Sequence, residues 1–452
     1  MLASTLSGLK LWSVLVKKSL LALLLFVVLV IIVSPGIIGG LAERSLNENL
    51  DWAAEKGGEL IVSSQGFNRG WFSSEGQHRI ELGDGAVRAA LGGFNAADTE
   101  LPALIINTHI DHGLIPVSSL GRERGSLTPG LGSAVSTMTI ELGNDASFTV
   151  PGTIFSKISL TGELTSSYSL DAGSTVFDDV TLTWEPGSID FSTDSASGRV
   201  VFDGNFGAVS VGDKLQRVSV ESFKFSGEQA QTEYGFAVGD VNFSIVELLV
   251  YVADNKVSGM RGLNIVASSS LNDGNLDARS VLKIDAQTVP GFGDISLIAD
   301  ISISGANAAA VGKASTRLQN IAANQDPRQA MTSVADDLKD LFASGFEINI
   351  HQLDVELPMG TLETRLTVEI PESDRADFQW VSLLLSTAAA LDLEIPEALM
   401  DMAIEMNPQI GVFVAMGYLK KNGDVYEMTA RYKKGVMTIN GAPIPIPFGA
   451  FQ

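Results

Sequence analysis

Four histidines, His78, His109, His112 and His351, are the only side chains of the 452 residues whose ordinary pKa lies near neutrality, so His-dependent chemistry has few places to sit. The densest polar cluster is Thr108-His109-Ile110-Asp111-His112-Gly113, at the end of the strand-like run Leu104–Asn107. On a strand, His109 and Asp111 share one face and His112 points to the other. The pair could hold a metal with a third ligand from elsewhere, or make an Asp-His contact that fixes the turn before Pro116; the second is the simpler reading. The chain has no cysteine, which excludes disulfides, a thiolate zinc site, a Cys nucleophile and a lipidated N-terminal Cys. G-x-S-x-G occurs nowhere, so no serine can be ranked as a nucleophile and no Ser/His/Asp arrangement stands out. Gly305–Ser315 (GANAAAVGKAS) lacks the first Gly of a phosphate-binding loop at Asn307 and the Ser or Thr at Ala314, so it is not one. With 53 acidic residues, any chosen pair of carboxylates is uninformative about glycoside hydrolysis. No catalytic, cofactor-binding or metal-binding residue is assigned, and no cofactor is expected.

Gly66-Phe67-Asn68-Arg69-Gly70-Trp71-Phe72-Ser73-Ser74 is the most unusual local string, an Arg between glycines with aromatics on both sides. It either presents Arg69 to an anionic partner, supported by Phe67 and Trp71, or caps a sheet end through backbone carbonyls; the capping role is the plainer one. Methionine is concentrated late in the chain, at Met400, Met402, Met406, Met416, Met428 and Met437. Such clusters line adaptable apolar grooves or, more commonly, fill core gaps.

These groups need elements to position them, and the first element is set apart from the rest. Ser19–Ala42 is 24 consecutive uncharged residues, about 36 Å as a helix against a hydrocarbon core of about 30 Å. Lys10, Lys17 and Lys18 precede it and Glu43 follows, so residues 1–18 are expected in the cytoplasm, 19–42 as a transmembrane anchor, and the remainder outside. A cleaved signal peptide is the rival, since Gly40-Leu41-Ala42 offers small residues for cleavage, but the apolar run exceeds the usual length. Gly36 and Gly40 form a G-x-x-x-G through which two anchors could pair as a homodimer, or they merely loosen the helix exit. The net charge of −23 repels phosphate backbones and anionic lipid headgroups, which argues against nucleic-acid binding and electrostatic membrane docking.

Period-2 alternation recurs from about residue 58 to 304, as in Met138, Ile140, Leu142 and in Val180, Leu182, Trp184, and predicts strands with one buried face. Ile295, Leu297, Ala299, Ile301 and Ile303 form the longest clean stripe. Val218 and Val220 shifting to Phe223 and Phe225 predicts a bulge, and Asp84-Gly85, Asp203-Gly204 and Asp273-Gly274 predict turns. After Gly305 helical texture appears, first from Ala306 and then from Pro327 to a stop at Gly345. A strand slips phase between Ile350 and Leu353, a hairpin passes through Pro358-Met359-Gly360, and helices follow at Pro396–Met406 and Pro408–Tyr418. A hairpin around Lys434-Gly435 closes the chain, and Trp380–Leu391, too short to span a membrane, reads as a buried element. The expected fold class is α+β: a single N-terminal transmembrane helix, then a large, mainly antiparallel β-sheet body with helices concentrated in the C-terminal third. Residues 43–305 form its β-rich region and 306–452 an α+β region packed on the same body.

The string from Phe67 to Ser74, an aromatic-x-Arg-Gly-x-Phe-Ser-Ser pattern, followed about 40 residues later by Asp111-His112-Gly113 and Pro116, resembles the YdgA-like bacterial envelope proteins, a family of unknown function. Leu393-Glu394-Ile395-Pro396 before a helix, and Tyr432–Gly441, are similar to that family's closing strand-turn-strand. The likeness covers most of the chain, the stretch 120–340 by texture and length. It implies a protein of the Gram-negative inner membrane with its bulk in the periplasm and no established activity or cofactor. Arg69, Gly70, Phe72, Ser74, Asp111, His112, Gly113 and Pro116 carry over as motif positions without a role. The leading expectation is a non-enzymatic scaffold or binding module of the cell envelope, with a lipid or an envelope protein as partner. The alternative is lipid or hydrophobic-ligand binding or transfer along a β-sheet groove, and the third reading, an envelope hydrolase, needs His109, Asp111 or His112 to converge on a cleft.

Overall fold

The computed structural model describes residues 60–69, 73–82, 103–112, 132–142, 146–159, 161, 163–177, 180–194, 197–289, 293–319, 338–375 and 378–444. Ser19–Ala42, with Gly36 and Gly40, lies outside these, as do Gly70, Phe72, Gly113, Pro116 and the Asp84-Gly85 turn. Among the described residues no helix is long and apolar enough to cross a membrane. The strand ladders between them run antiparallel, and the helices fall between Ala308 and Ala415, so the body is predominantly antiparallel sheet with its helices late in the chain. The chain divides into two compact units, the first built from residues 1–231, 250–256 and 318–326, the second from 232–249, 257–317 and 327–452.

The described residues of unit 1 include the strands β1 (Leu60–Arg69), β2 (Ser73–Leu82), β3 (Ala103–His112), β4 (Gly132–Leu142), β5 (Ala146–Ile158), β6 (Leu164–Leu170), β7 (Gly173–Phe177), β8 (Val180–Trp184), β9 (Gly187–Asp194), β10 (Arg199–Phe206), β11 (Val209–Gly212), β12 (Gln216–Val220) and β13 (Phe223–Gln231). One ladder runs β1-β2-β3-β4-β5-β6-β9-β10-β13 and a second runs β7-β8-β11-β12. Phe148 on β5 meets Trp184 on β8 edge to face at 6.4 Å, so the ladders touch through their apolar faces. The alternation reads correctly here: Met138, Ile140 and Leu182 are buried. Two expectations fail. Val220 and Phe223 are not separated by a bulge; the chain leaves one ladder at β12 and enters the other at β13, and each ladder sets its own phase. Asp203-Gly204 is no turn, because both residues sit inside β10, paired on each side.

The glycine has another use there. Gly204 lies opposite Phe225, and a Cβ on it would stand 2.2 Å from the ring. Gly187 opposite Phe206 and Gly173 opposite Trp184 repeat the device, with 2.2 Å and 2.6 Å to the rings. A ring laid over a cross-strand glycine shields that backbone and gives the aromatic a flat seat. Phe206, 1% exposed, also stacks on Phe223 at 4.7 Å, so the glycines and rings of β9, β10 and β13 pack together in the unit 1 core.

Also in unit 1 is His78 on β2, buried, its Nδ1 without a hydrogen-bond partner. Burial disfavours the imidazolium and holds its pKa below the ordinary 6.5. The unfolded chain therefore binds the proton first, and stability present above pH 6.5 is lost as the pH falls below it. Urea unfolding at about pH 7.5 and about pH 5.5 should show a loss for the native protein that shrinks in His78→Leu; an unchanged pH response in that variant would contradict this assignment.

Unit 2 is built on β15 (Asn255–Asn272), β16 (Asn275–Val289), β17 (Gly293–Asn307), β18 (Phe346–Leu357), β19 (Gly360–Ile370), β20 (Ala388–Pro396), β22 (Val425–Lys433), β23 (Val436–Ile439) and β24 (Ala442–Ile444), paired in that order, with β21 (Lys420–Asn422) on β22 beside β23. The strand β14 (Ala237–Val252) contributes residues to both units. Asp273-Gly274 and Lys434-Gly435 have the paired positive φ values that close two-residue hairpins, as expected from their sequences. The phase slip between Ile350 and Leu353 is a bulge in β18.

Helix α1 (Ala308–Gln319) is capped by Asn307, whose Oδ1 accepts from the Ala310 N–H at 3.0 Å. Gly312, which lent that segment its phosphate-loop look, is interior to α1, where a Cβ would lie 2.2 Å from the Tyr234 carbonyl oxygen. A further helical turn covers 338–343 and stops at Gly345, φ +71. Then come α2 (Trp380–Ser386), α3 (Glu397–Met406) and α4 (Ile410–Ala415). Trp380–Leu391 is not one buried element: it splits at Thr387 into α2, which has no buried residue, and the start of β20.

Candidate functional site

The two motif strings are separated in sequence and adjacent in space. Arg69 pairs with Ser74 across the β1–β2 ladder, Ser73 with Asp111 across β2–β3, and Asp111 with Ser133 and His112 with Gly132 across β3–β4. Arg69, Ser74, Asp111 and His112 therefore share one end of three neighbouring strands, β1, β2 and β3. Asp111 is 1% exposed, and its Oδ1 lies 3.3 Å from His109 Nε2, while His109 Nδ1 lies 3.4 Å from Glu75 Oε1. The shared strand face of His109 and Asp111 and the contact between them are as the spacing predicts. Among the described residues no group of three or more His, Asp or Glu is placed to hold a metal. A carboxylate this buried is held by what surrounds it, so Asp111→Ala should cost about 1–3 kcal/mol of stability. Denaturant titration checks this, and an unchanged midpoint would contradict it.

His351 makes a serine contact that sequence reading missed. Its Nε2 lies 2.8 Å from Ser302 Oγ across β17–β18, on the polar face of the unit 2 sheet. Asp300, two residues from Ser302 on the same strand, takes both oxygens into Arg279, and the guanidinium's hydrogen bonds hold its carboxyl below the usual range, with His351 adding a smaller pull. That face continues as a row of opposite charges, Asp354 with Arg365 at 2.6 Å and Asp392 with Arg431 at 2.8 Å. Single oppositely charged residues at polar positions of successive strands are the sequence signal for such a row. An exposed pair such as Asp392 with Arg431 contributes little by itself and keeps the face solvated.

Among the described residues, the opposite face of the same sheet is apolar and covered only at its ends. Ala306, Phe346 and Ile370 form a buried cluster with Val311 of α1, Phe342 and Leu383 of α2. Met400, Leu419 and Tyr426 form a second with Leu393, Met428, Ile404 of α3, and Ile410 and Val414 of α4. Between them Ile301, Ile350, Leu366 and Leu391 lie in one cross-strand row over β17, β18, β19 and β20, and none is fully buried; Ile301 is 42% exposed. The next row holds Leu282, Ala299, Leu353, Thr364, Leu393 and Met428, of which only Ala299 is buried. The Ile295–Ile303 stripe that predicts a buried face therefore lines a half-open apolar trough. The two unit 1 ladders meet through apolar side chains, as at Phe148 and Trp184; among the described residues nothing covers this face along its middle. The Met-rich segment divides accordingly: Met400 is core, Met428 lines the trough, and Met406 and Met416 are exposed.

Fold and site together define a β-sheet protein with one closed core, one half-open apolar face and a polar strand end. The sequence profile described as "Bacterial protein of unknown function (DUF945)" matches residues 16–447, and the chain belongs to that family. This is the YdgA family, which the strings around Arg69 and Asp111 resemble. No curated protein and no solved structure gives a significant match.

Proposed function

We propose that the protein is a non-enzymatic binding module of the bacterial cell envelope that holds the apolar chain of a lipid or similar amphiphile in the unit 2 trough. The observation that carries this is the row Ile301, Ile350, Leu366, Leu391, four large apolar side chains on adjacent strands left short of burial. Contiguous exposed apolar surface rimmed by charge marks a binding site in a folded protein. The trough offers few polar groups, Thr364 among them, so its complement is a chain with no hydrogen bonds to satisfy. From Ile295 to Ile301, short of the covered end at Ile303, the stripe runs roughly 20 Å at about 3.4 Å per residue, longer than the ~15 Å of one bilayer leaflet, so an extended acyl chain fits along it. The uncharged segment Ser19–Ala42 supports the same reading, since an anchor in the inner membrane with the body in the periplasm keeps the trough beside a lipid reservoir.

Site-specific photo-crosslinking in cells tests this. A benzophenone side chain at Ile350 or Leu353 should capture lipid, and the same group at Thr429 on the polar face should not. Equal capture at both faces, or none in the trough, would refute the proposal.

A further inference from the structure

We infer that the α3–α4 tip is a bilayer-docking element that sets one mouth of the trough against the lipid surface. The inference rests on the lipid-binding reading of the trough and adds where the ligand enters. From Met406 to Leu419 the chain carries no charge, between Glu405 and Lys420. Within it α4 is apolar on every side. Ile410 and Val414 pack inward on the Met400–Leu419–Tyr426 cluster, while Val412, Phe413 and Met416 face out at 52%, 49% and 57% exposure, and Met406 before them is 78% exposed. A helix apolar all round belongs in a protein core or in lipid, and this one is half in a core.

Two observations choose a bilayer as the occupant. The chain is strongly acidic, so an electrostatic approach to a lipid surface is repulsive and contact has to come through an uncharged element with insertable side chains. The tip is also continuous with the trough: Leu393 and Met428 belong both to the trough row and to the cluster under α4. The uncharged run ending at Ala42 precedes the first described strand at Leu60 by 17 residues, a reach of up to about 60 Å, which tethers the body near the membrane if that run is its anchor.

The absence of cysteine makes the test clean. Val412→Cys and Met416→Cys, with Thr429→Cys as the polar-face control, are labelled with an environment-sensitive fluorophore in the full chain, reconstituted one copy per nanodisc. At 412 and 416 the emission should shift to the blue and be quenched when the acyl chains carry bromine, and at 429 it should do neither. Probes at 412 and 416 that stay in water overturn the inference. A blue shift without bromine quenching overturns it too, since protein, whether a second copy or another segment, then covers the tip. Crosslinking at Ile350 and Leu353 reports on the trough separately: lipid capture there with an unquenched tip removes only the docking, and a quenched tip without capture removes only the trough reading.

Discussion

Phe206→Ala is expected to lower the unfolding free energy by about 3–5 kcal/mol, the range for removing a fully buried aromatic ring. Phe206 is 1% exposed, stacks on Phe223 at 4.7 Å, lies 6.4 Å from Phe225 and covers Gly187. Its loss leaves a cavity beneath two rings and uncovers the backbone of β9. The reciprocal change, Gly187→Val, drives a side chain into the Phe206 ring, and overpacking of this kind costs about 1–3 kcal/mol. The two changes compensate in space, since the introduced valine side chain can occupy part of what the ring vacates. The double variant should accordingly be more stable than the sum of the single losses predicts. Urea titration of the four proteins measures this cycle. Additive losses, or a Phe206→Ala cost below about 1 kcal/mol, would mean that the ring-over-glycine seat is not what holds unit 1 together.

Ile301→Asp should weaken amphiphile binding at least about tenfold, equivalent to about 1.4 kcal/mol, because a bound chain would have to desolvate a carboxylate at the middle of the trough. Stability should change little. Ile301 is 42% exposed, and a carboxylate there can keep its water. Leu182 in unit 1 makes the contrast, since the same substitution at that buried site should unfold the protein. Displacement of a fluorescent fatty acid, with a denaturation curve for each variant, separates the effects. Unchanged binding in a folded Ile301→Asp protein would count directly against the trough.

The features legible in the sequence are those in which one residue type answers one backbone demand. Asp273-Gly274 and Lys434-Gly435 need positive φ, and the turn follows. Gly345 ends its helix for the same reason, and the slip between Ile350 and Leu353 is visible because a bulge moves every later side chain to the other face. Asp203-Gly204 misleads because glycine answers two demands, and here it seats Phe225 instead of turning the chain. Val220 and Phe223 mislead because alternation gives the phase of each strand and not the ladder it joins. The trough is illegible for a related reason: alternation in Ile295–Ile303 marks an apolar face, whereas what covers that face depends on where helices far along the chain, such as α3 and α4, come to rest. The proximity of Arg69 to Asp111 follows from register across three strands, which spacing alone does not specify.

The most direct test of the amphiphile-binding reading is mass spectrometry of organic extracts from the purified full-length protein, compared with its Ile301→Asp variant and a mock purification. Both proteins carry the same N-terminal apolar run, so lipid carried by that segment cancels between them. A stoichiometric amphiphile in the native protein that falls sharply in the variant is the predicted result. Equal lipid in the two, or none beyond the mock level in either, would contradict it.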